Sequence, residues 1–162
     1  MFSRRMIRIQ GFSSVEVAIG VSIAALTVTF MMHTVVKLVT FGTDNLDRAR
    51  AVLLAEEGIE LMRFLRDSSW TNISSLSNGT RYDLLIATTT IATTTNSVPI
   101  NTIYTRSITT SSVYRATAGS DIVASTSAVS KAIDTNTVLV TVSVSWGTPT
   151  STVSLSSYLT NI

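Results

Sequence analysis

From Val17 to Val36 the chain carries no formal charge, and its apolar residues follow one another without the polar positions that would leave one helix face wet. Twenty residues at 1.5 Å each span about 30 Å, the thickness of a bilayer's hydrocarbon core, so this segment is expected to cross a membrane as a helix. The pattern then changes. Between Asp44 and Asp67, Ala51, Leu54, Ala55, Gly58, Leu61, Met62 and Leu65 recur at spacings of three and four, which places them on one helical face. Asp44 with Arg48, Asp47 with Arg50, Glu60 with Arg63 and Arg63 with Asp67 fall at pairing distance on the charged side, the pattern of a solvated helix face. The small-residue stripe that includes Gly58 calls for a flat surface beside it. Leu53 and Phe64 lie off that stripe and are open to contacts between subunits or to packing at the edge of the core. Counted from Phe12 to Asp67 the helical pattern covers 56 residues, about 84 Å if unbroken.

After Asp67 the period drops from 3.6 to two. Val138, Val140, Val142, Val144 and Trp146 alternate with Leu139, Thr141, Ser143 and Ser145, which predicts a strand over 137–146 with the valines facing the helix. Gly147-Thr148-Pro149-Thr150 is a turn, and residues 152–160 return as a second strand with Val153, Leu155 and Leu159 inward. Further strands are expected near 81–86 and 103–114, while 87–95 and 116–130 are low-complexity stretches without a determinate period. The fold class is therefore α+β, a long N-terminal helix packed on a C-terminal antiparallel sheet. It divides into a basic leader over 1–11, a transmembrane or assembly helix over 12–36, an amphipathic helix over 37–67 and a Ser/Thr-rich head over 68–162.

Composition sharpens this division. The first 67 residues hold 8 of the 12 Lys/Arg and 7 of the 10 Asp/Glu, and the remaining 95 carry 40 Ser and Thr. Such a composition suits a β-rich surface domain, and equally a flexible glycosylated stalk. With no cysteine and a single histidine, His33, the chain excludes a disulfide framework, cysteine zinc sites, thiol catalysis and a histidine-dependent triad in the head. Asp83, Asp121 and Asp134 are the only acids after Asp67 and are too scattered for a calcium loop, so no metal or other cofactor is expected. Ser130-Lys131 lacks the spacing of a Ser/Lys hydrolase, and no enzymatic activity is expected. Nor does the charge point to nucleic acid. Asn72-Ile73-Ser74 and Asn78-Gly79-Thr80 match the glycosylation acceptor pattern, which arises often by chance in such sequence.

Arg4, Arg5 and Arg8 precede the apolar run with no acidic residue among them. By the positive-inside rule they keep the N-terminus in the cytoplasm and place everything after Lys37 outside. On that pattern alone the segment is a secretory signal or a simple anchor. Glu16 breaks the pattern, because an unpaired carboxylate at the front of an apolar span costs a few kcal/mol, on the order of 3. Cleavage after Gly11 would create an α-amino group on Phe12 that could pair with Glu16, four residues on in one helix or across two staggered subunits. Such a pair selects register more than it stabilises, since either charge left alone is penalised.

The run Arg4-Arg5-Met6-Ile7-Arg8-Ile9-Gln10, then Gly11-Phe12-Ser13-Ser14-Val15-Glu16 and the apolar stretch after it, resembles the type IV pilin and type II secretion pseudopilin family. The resemblance covers about the first thirty-five residues. It implies a membrane-embedded prepilin peptidase that cuts between Gly11 and Phe12, N-methylation of Phe12, and assembly through Glu16 into a filament of like subunits, homopolymeric or mixed. It further implies an assembly platform protein and, behind it, an ATPase, with residence in the inner membrane as a single-pass protein and a cell-surface or extracytoplasmic assembled form. Ser13-Ser14 is more polar than the Thr-Leu usual in the family, and the proline that many members place later in the apolar stretch is missing, the first proline being Pro99. No proline kink is expected, leaving Gly20 and Gly42 as weaker points where the helix could bend. A major pilin, a minor pilin and a pseudopilin share this N-terminal segment. The competing expectation is an anchored β-domain that never polymerises and serves binding or adhesion. Removal of residues 1–11 would leave 9 Lys/Arg against 10 Asp/Glu, so the basicity belongs to the leader.

Overall fold

A computed structural model describes residues 11, 13–86, 91–96, 99–148 and 150–162. Arg4, Arg5, Arg8 and Phe12 of the expected leader and cleavage site, and Pro149 of the expected turn, lie outside the described residues. By its internal contacts the chain divides into two units, Met1–Asn45 and Leu46–Ile162.

Helix α1 runs from Ser14 to Ser68 and is helical through both Gly20 and Gly42. Ser13 stands outside the helix and caps it: the Ser13 Oγ accepts from the Val15 N–H at 3.4 Å and its carbonyl from the Val17 N–H at 3.1 Å. At the other end the Leu65 carbonyl, which a helix C-terminus leaves short of partners, accepts from the Ser69 N–H, the Ser68 hydroxyl and the Asn72 side-chain amide. A short helix α2, Thr71–Ser74, follows and buries Ile73.

In the second unit, seven antiparallel strands form the sheet: β1 Arg81–Ile86, β2 Ile91–Thr94, β3 Pro99–Ile100, β4 Tyr104–Ala116, β5 Ile122–Val123, β6 Lys131–Trp146 and β7 Ser151–Thr160. The main order is β2-β1-β4-β6-β7. One side of β4 pairs successively with β3, β1 and β5, and its other side pairs with β6 along its whole length. Two-residue alternation decides the faces. Tyr104, Arg106, Ile108 and Thr110 of β4 and Val140, Val142 and Val144 of β6 are buried, with Leu159 of β7 beside them. Ala51, Ala55, Gly58, Ile59, Met62 and Leu65 of α1 are buried against this layer. The amphipathic part of a long helix thus packs on an antiparallel sheet, an α+β arrangement.

Strand β6 begins at Lys131, six residues before the expected start. The extension follows a bulge: Ser112 pairs with Val138 but Val113 pairs with Asp134, so residues 135–137 of β6 are extra. The Asp134 carboxylate folds over this insertion, accepting from the Asn136 N–H at 2.9 Å and from Arg115 Nε at 2.6 Å. Beyond the bulge, β4 and β6 continue as a ribbon that β5 joins.

Candidate functional site

The first unit presents a surface rather than a pocket. Between Val15 and Phe41, fifteen large apolar side chains are exposed, from 53% for Val17 to 71% for Phe30, Met31 and Leu38. Covering half of each such side chain gains roughly 1 kcal/mol, on the order of 15 kcal/mol together, as much as the whole stability of a typical domain. A surface of that kind is not left in water, and α1 is long and apolar enough to cross a membrane. Its hydroxyls fit an apolar surrounding. Ser22, Thr27, Thr29, Thr34, Thr40 and Thr43 each donate to a carbonyl three or four residues back, at 2.8 to 3.0 Å. Glu16 is the one formal charge between Ser14 and Val36 and stands exposed in the first turn of α1. Gly11 is exposed five residues before it.

Ser13 is the residue that sequence reasoning passed over. Its side chain and Glu16 have the spacing of a capping box, Ser-x-x-Glu, in which the serine caps the helix and the acid sits over the positive N-terminal end. The signal was available in the four residues from Ser13 to Glu16.

In the second unit the helix is locked to the sheet by shape and by charge. An added Cβ on Gly58 would lie 2.8 Å from Val142 Cγ1 and 3.1 Å from Arg106 Cδ, so the absence of a side chain is what lets the helix come this close. Arg106 occupies the slot so formed. It is 2% exposed, its Nη1 donates to the Leu54 carbonyl at 3.3 Å and lies 3.6 Å from Glu57 Oε2, and its Nε has no partner among the described residues. Burial pulls the guanidinium below its usual value, opposed by the charges of Glu57 and of buried Asp83. An ion cluster in such a place adds little net stability but strongly penalises any arrangement that strands one member. At the near end of the same interface the Tyr104 hydroxyl donates to Asp47 Oδ1 at 3.0 Å, and its ring packs at 6.3 Å from that of half-buried Trp146. Burial, reinforced by the Asp47 hydrogen bond, pushes the Tyr104 phenol up.

Of the charge pairs expected on the helix, Asp47–Arg50 and Glu60–Arg63 form, whereas Asp67 is held by neighbouring Arg66 at 2.8 Å rather than by Arg63. Leu53 and Phe64 point away from the core and are 64% and 58% exposed. In the ribbon, the Lys131 ammonium donates to the Ala124, Ser125 and Ser127 carbonyls and stands 5.8 Å from the Tyr114 ring, which ties down the 124–127 turn. Arg115, Thr137 and the Asn136 N–H hold the Asp134 carboxyl down at about 2. Both asparagines of the glycosylation patterns use their side-chain nitrogens internally, Asn72 on Leu65 and Ser68 and Asn78 on Ser112. Among the described residues, no His, Cys, Asp and Glu cluster could hold a metal ion.

Comparison with known proteins matches no family model, no curated protein and no solved structure.

Proposed function

We propose that the chain is a structural subunit of a type IV pilus or of a pseudopilus of the type II secretion kind. On this reading it is inserted in the inner membrane with its N-terminus in the cytoplasm, cut by a prepilin peptidase between Gly11 and Phe12, methylated on Phe12, and built into a filament by a platform protein and its ATPase. The observation that carries the reading is the pairing of opposites in one helix. Its first part offers an apolar surface all round, with hydroxyls satisfied internally and one carboxylate, Glu16, near the start. Its last part is fastened to a β head. Side-by-side packing of the apolar parts would drive association, and the Glu16 to α-amine pair would set the axial stagger between neighbours. Leu53 and Phe64, exposed on the fastened part, suit contacts to adjacent subunits.

Two measurements test this. Mass spectrometry of membrane-extracted protein should give a mature N-terminus at methylated Phe12, and Glu16→Ala should leave membrane insertion intact while abolishing filaments. An uncleaved chain, or a cut beyond Ala25, would overturn the reading. One observation favours the alternative of an anchored, non-polymerising head: the Ser13 cap and first-turn position give Glu16 a local partner in the helix N-terminus. If that were the acid's whole role, Glu16→Ala filaments would form normally.

A further inference from the structure

The two outer edges of the sheet are defended very differently. Strand β2 closes one edge with four residues, Ile91–Thr94, and shortness alone limits what can pair with it. The other edge is β7, ten residues long, with no charge, no proline and no bulge in its pairing with β6. Its open side can be worked out from one bond. The Asn161 N–H donates to the Asn136 carbonyl at 2.8 Å, so at this opposed pair the β7 backbone points toward β6. In an antiparallel ladder such pairs alternate, so residues 151, 153, 155, 157 and 159 direct their N–H and C=O toward β6. Thr152, Ser154, Ser156, Tyr158 and Thr160 direct theirs outward. The short hydroxyl contacts Thr141–Ser156 and Ser143–Ser154, both 2.8 Å, fall at the non-hydrogen-bonded pairs, where opposed side chains stand closest.

Beside this edge lies a cleft of about 460 Å³ between α1 and β7. Ile59 and Leu155 give it an apolar floor, and Glu56, Glu60 and Arg63 line its helix side. Glu60 is neutralised by Arg63, which also reaches the Ser157 hydroxyl, while Glu56 has no ion pair among the described residues. A strand added to β7 would run past both the Glu56 carboxylate and the apolar floor of Ile59 and Leu155.

We infer that the β7 edge is a docking site for an extended strand of a different polypeptide, one that pairs with Thr152–Thr160 and places a lysine or arginine against Glu56 and an apolar side chain on Ile59 and Leu155. A second copy fits less well: β2 and β7, the two outer edges of this sheet, carry no cation to meet Glu56. The inference rests on the second unit alone and does not depend on cleavage or filament formation.

The test uses the full chain in detergent micelles and two peptides, Thr-Val-Thr-Lys-Thr-Val-Thr and the same sequence with Glu in place of Lys. Amide hydrogen exchange at Ser154, Ser156 and Tyr158 should slow at least tenfold with the lysine peptide, at concentrations at least tenfold lower than the glutamate peptide requires. Glu56→Lys, a change on the exposed side of the helix, should reverse that preference. Ser156→Pro removes an outward N–H without touching the β6 ladder and should abolish protection while leaving the tryptophan fluorescence of the fold unchanged. Equal protection by both peptides, a preference unmoved by Glu56→Lys, or no protection at all would overturn the inference. So would protection that rises with protein concentration in the absence of peptide, which would assign the edge to a second copy.

Discussion

Met32 and Met62 belong to the same helix, yet Met32 is 68% exposed and Met62 is fully buried. The difference lies in the company each keeps. Around Met62 the helix carries Ala51, Ala55 and Gly58 in a stripe, so a flat sheet can approach, and side chains such as Val142 and Arg106 enter the space. Around Met32 the neighbours are Phe30, Met31, Val35 and Val36, bulky on every side. Such a surface selects no single face, and only a medium or a set of neighbours that surrounds the helix can cover it. One backbone conformation thus serves two purposes, and side-chain size decides which.

Shortening both methionines should separate the two parts of the helix most sharply. Met62→Ala removes a fully buried side chain and should lower the stability of the head by about 2–5 kcal/mol, read from urea unfolding followed by the fluorescence of Trp70 and Trp146. Met32→Ala should leave that midpoint where it is. A shared loss would mean that the apolar part of the helix contributes to folding of the head.

The glycines give a smaller contrast of opposite sign. Gly58→Ala forces a methyl to 2.8 Å from Val142, an overpacking cost of about 1–3 kcal/mol against roughly 1 kcal/mol gained in helix propensity, for an expected net loss near 1 kcal/mol. Gly42→Ala meets nothing within 4 Å and should slow local helix opening, measured by hydrogen exchange, by about 0.5–1 kcal/mol. Loss of filaments in Gly42→Ala, with helix and head intact, would show a neighbouring helix packed against that position.

The smallest effect concerns acid. Asp134 titrates at about 2 in the folded chain against an ordinary 3.8, so its contribution is present above the ordinary value and is lost as pH falls toward 2. Carboxyl chemical shifts should report that low midpoint, and Arg115→Gln should raise it. The β4–β6 ribbon beyond the bulge should loosen in that acid window before the helix-covered sheet does.

Much of the architecture was legible because it depends on local period. The 3.6-residue recurrence from Ala51 to Leu65 and the strict alternation from Val138 to Trp146 each state which face is buried, and the hairpin from β6 to β7 follows from the Gly147 turn between two alternating runs. The same alternation puts Arg106 on the face of Tyr104 and Ile108, a place where a charge is not expected. Its partners were not legible, and only the packing of α1 on β4 shows that it reaches the Leu54 carbonyl and Glu57. The beginning of β6 at Lys131 was equally hidden, since three extra residues at the bulge interrupt the period that would have revealed it.

For the candidate site, the chain's own order of residues was enough to single out Glu16, because a lone carboxylate at the start of an apolar run is improbable without a partner. Spacing along one chain was thus enough for the long helix, the four longer strands, most of their inward faces and the exceptional acid, but not for α2, β2, β3 or β5. The packing of helix on sheet set the rest: Gly58 makes room for Arg106, Tyr104 bonds Asp47 across 57 positions, and among the described residues no strand pairs with the outer side of β7. Those depend on which strands become neighbours, a choice made by the fit of whole surfaces and invisible to any local period.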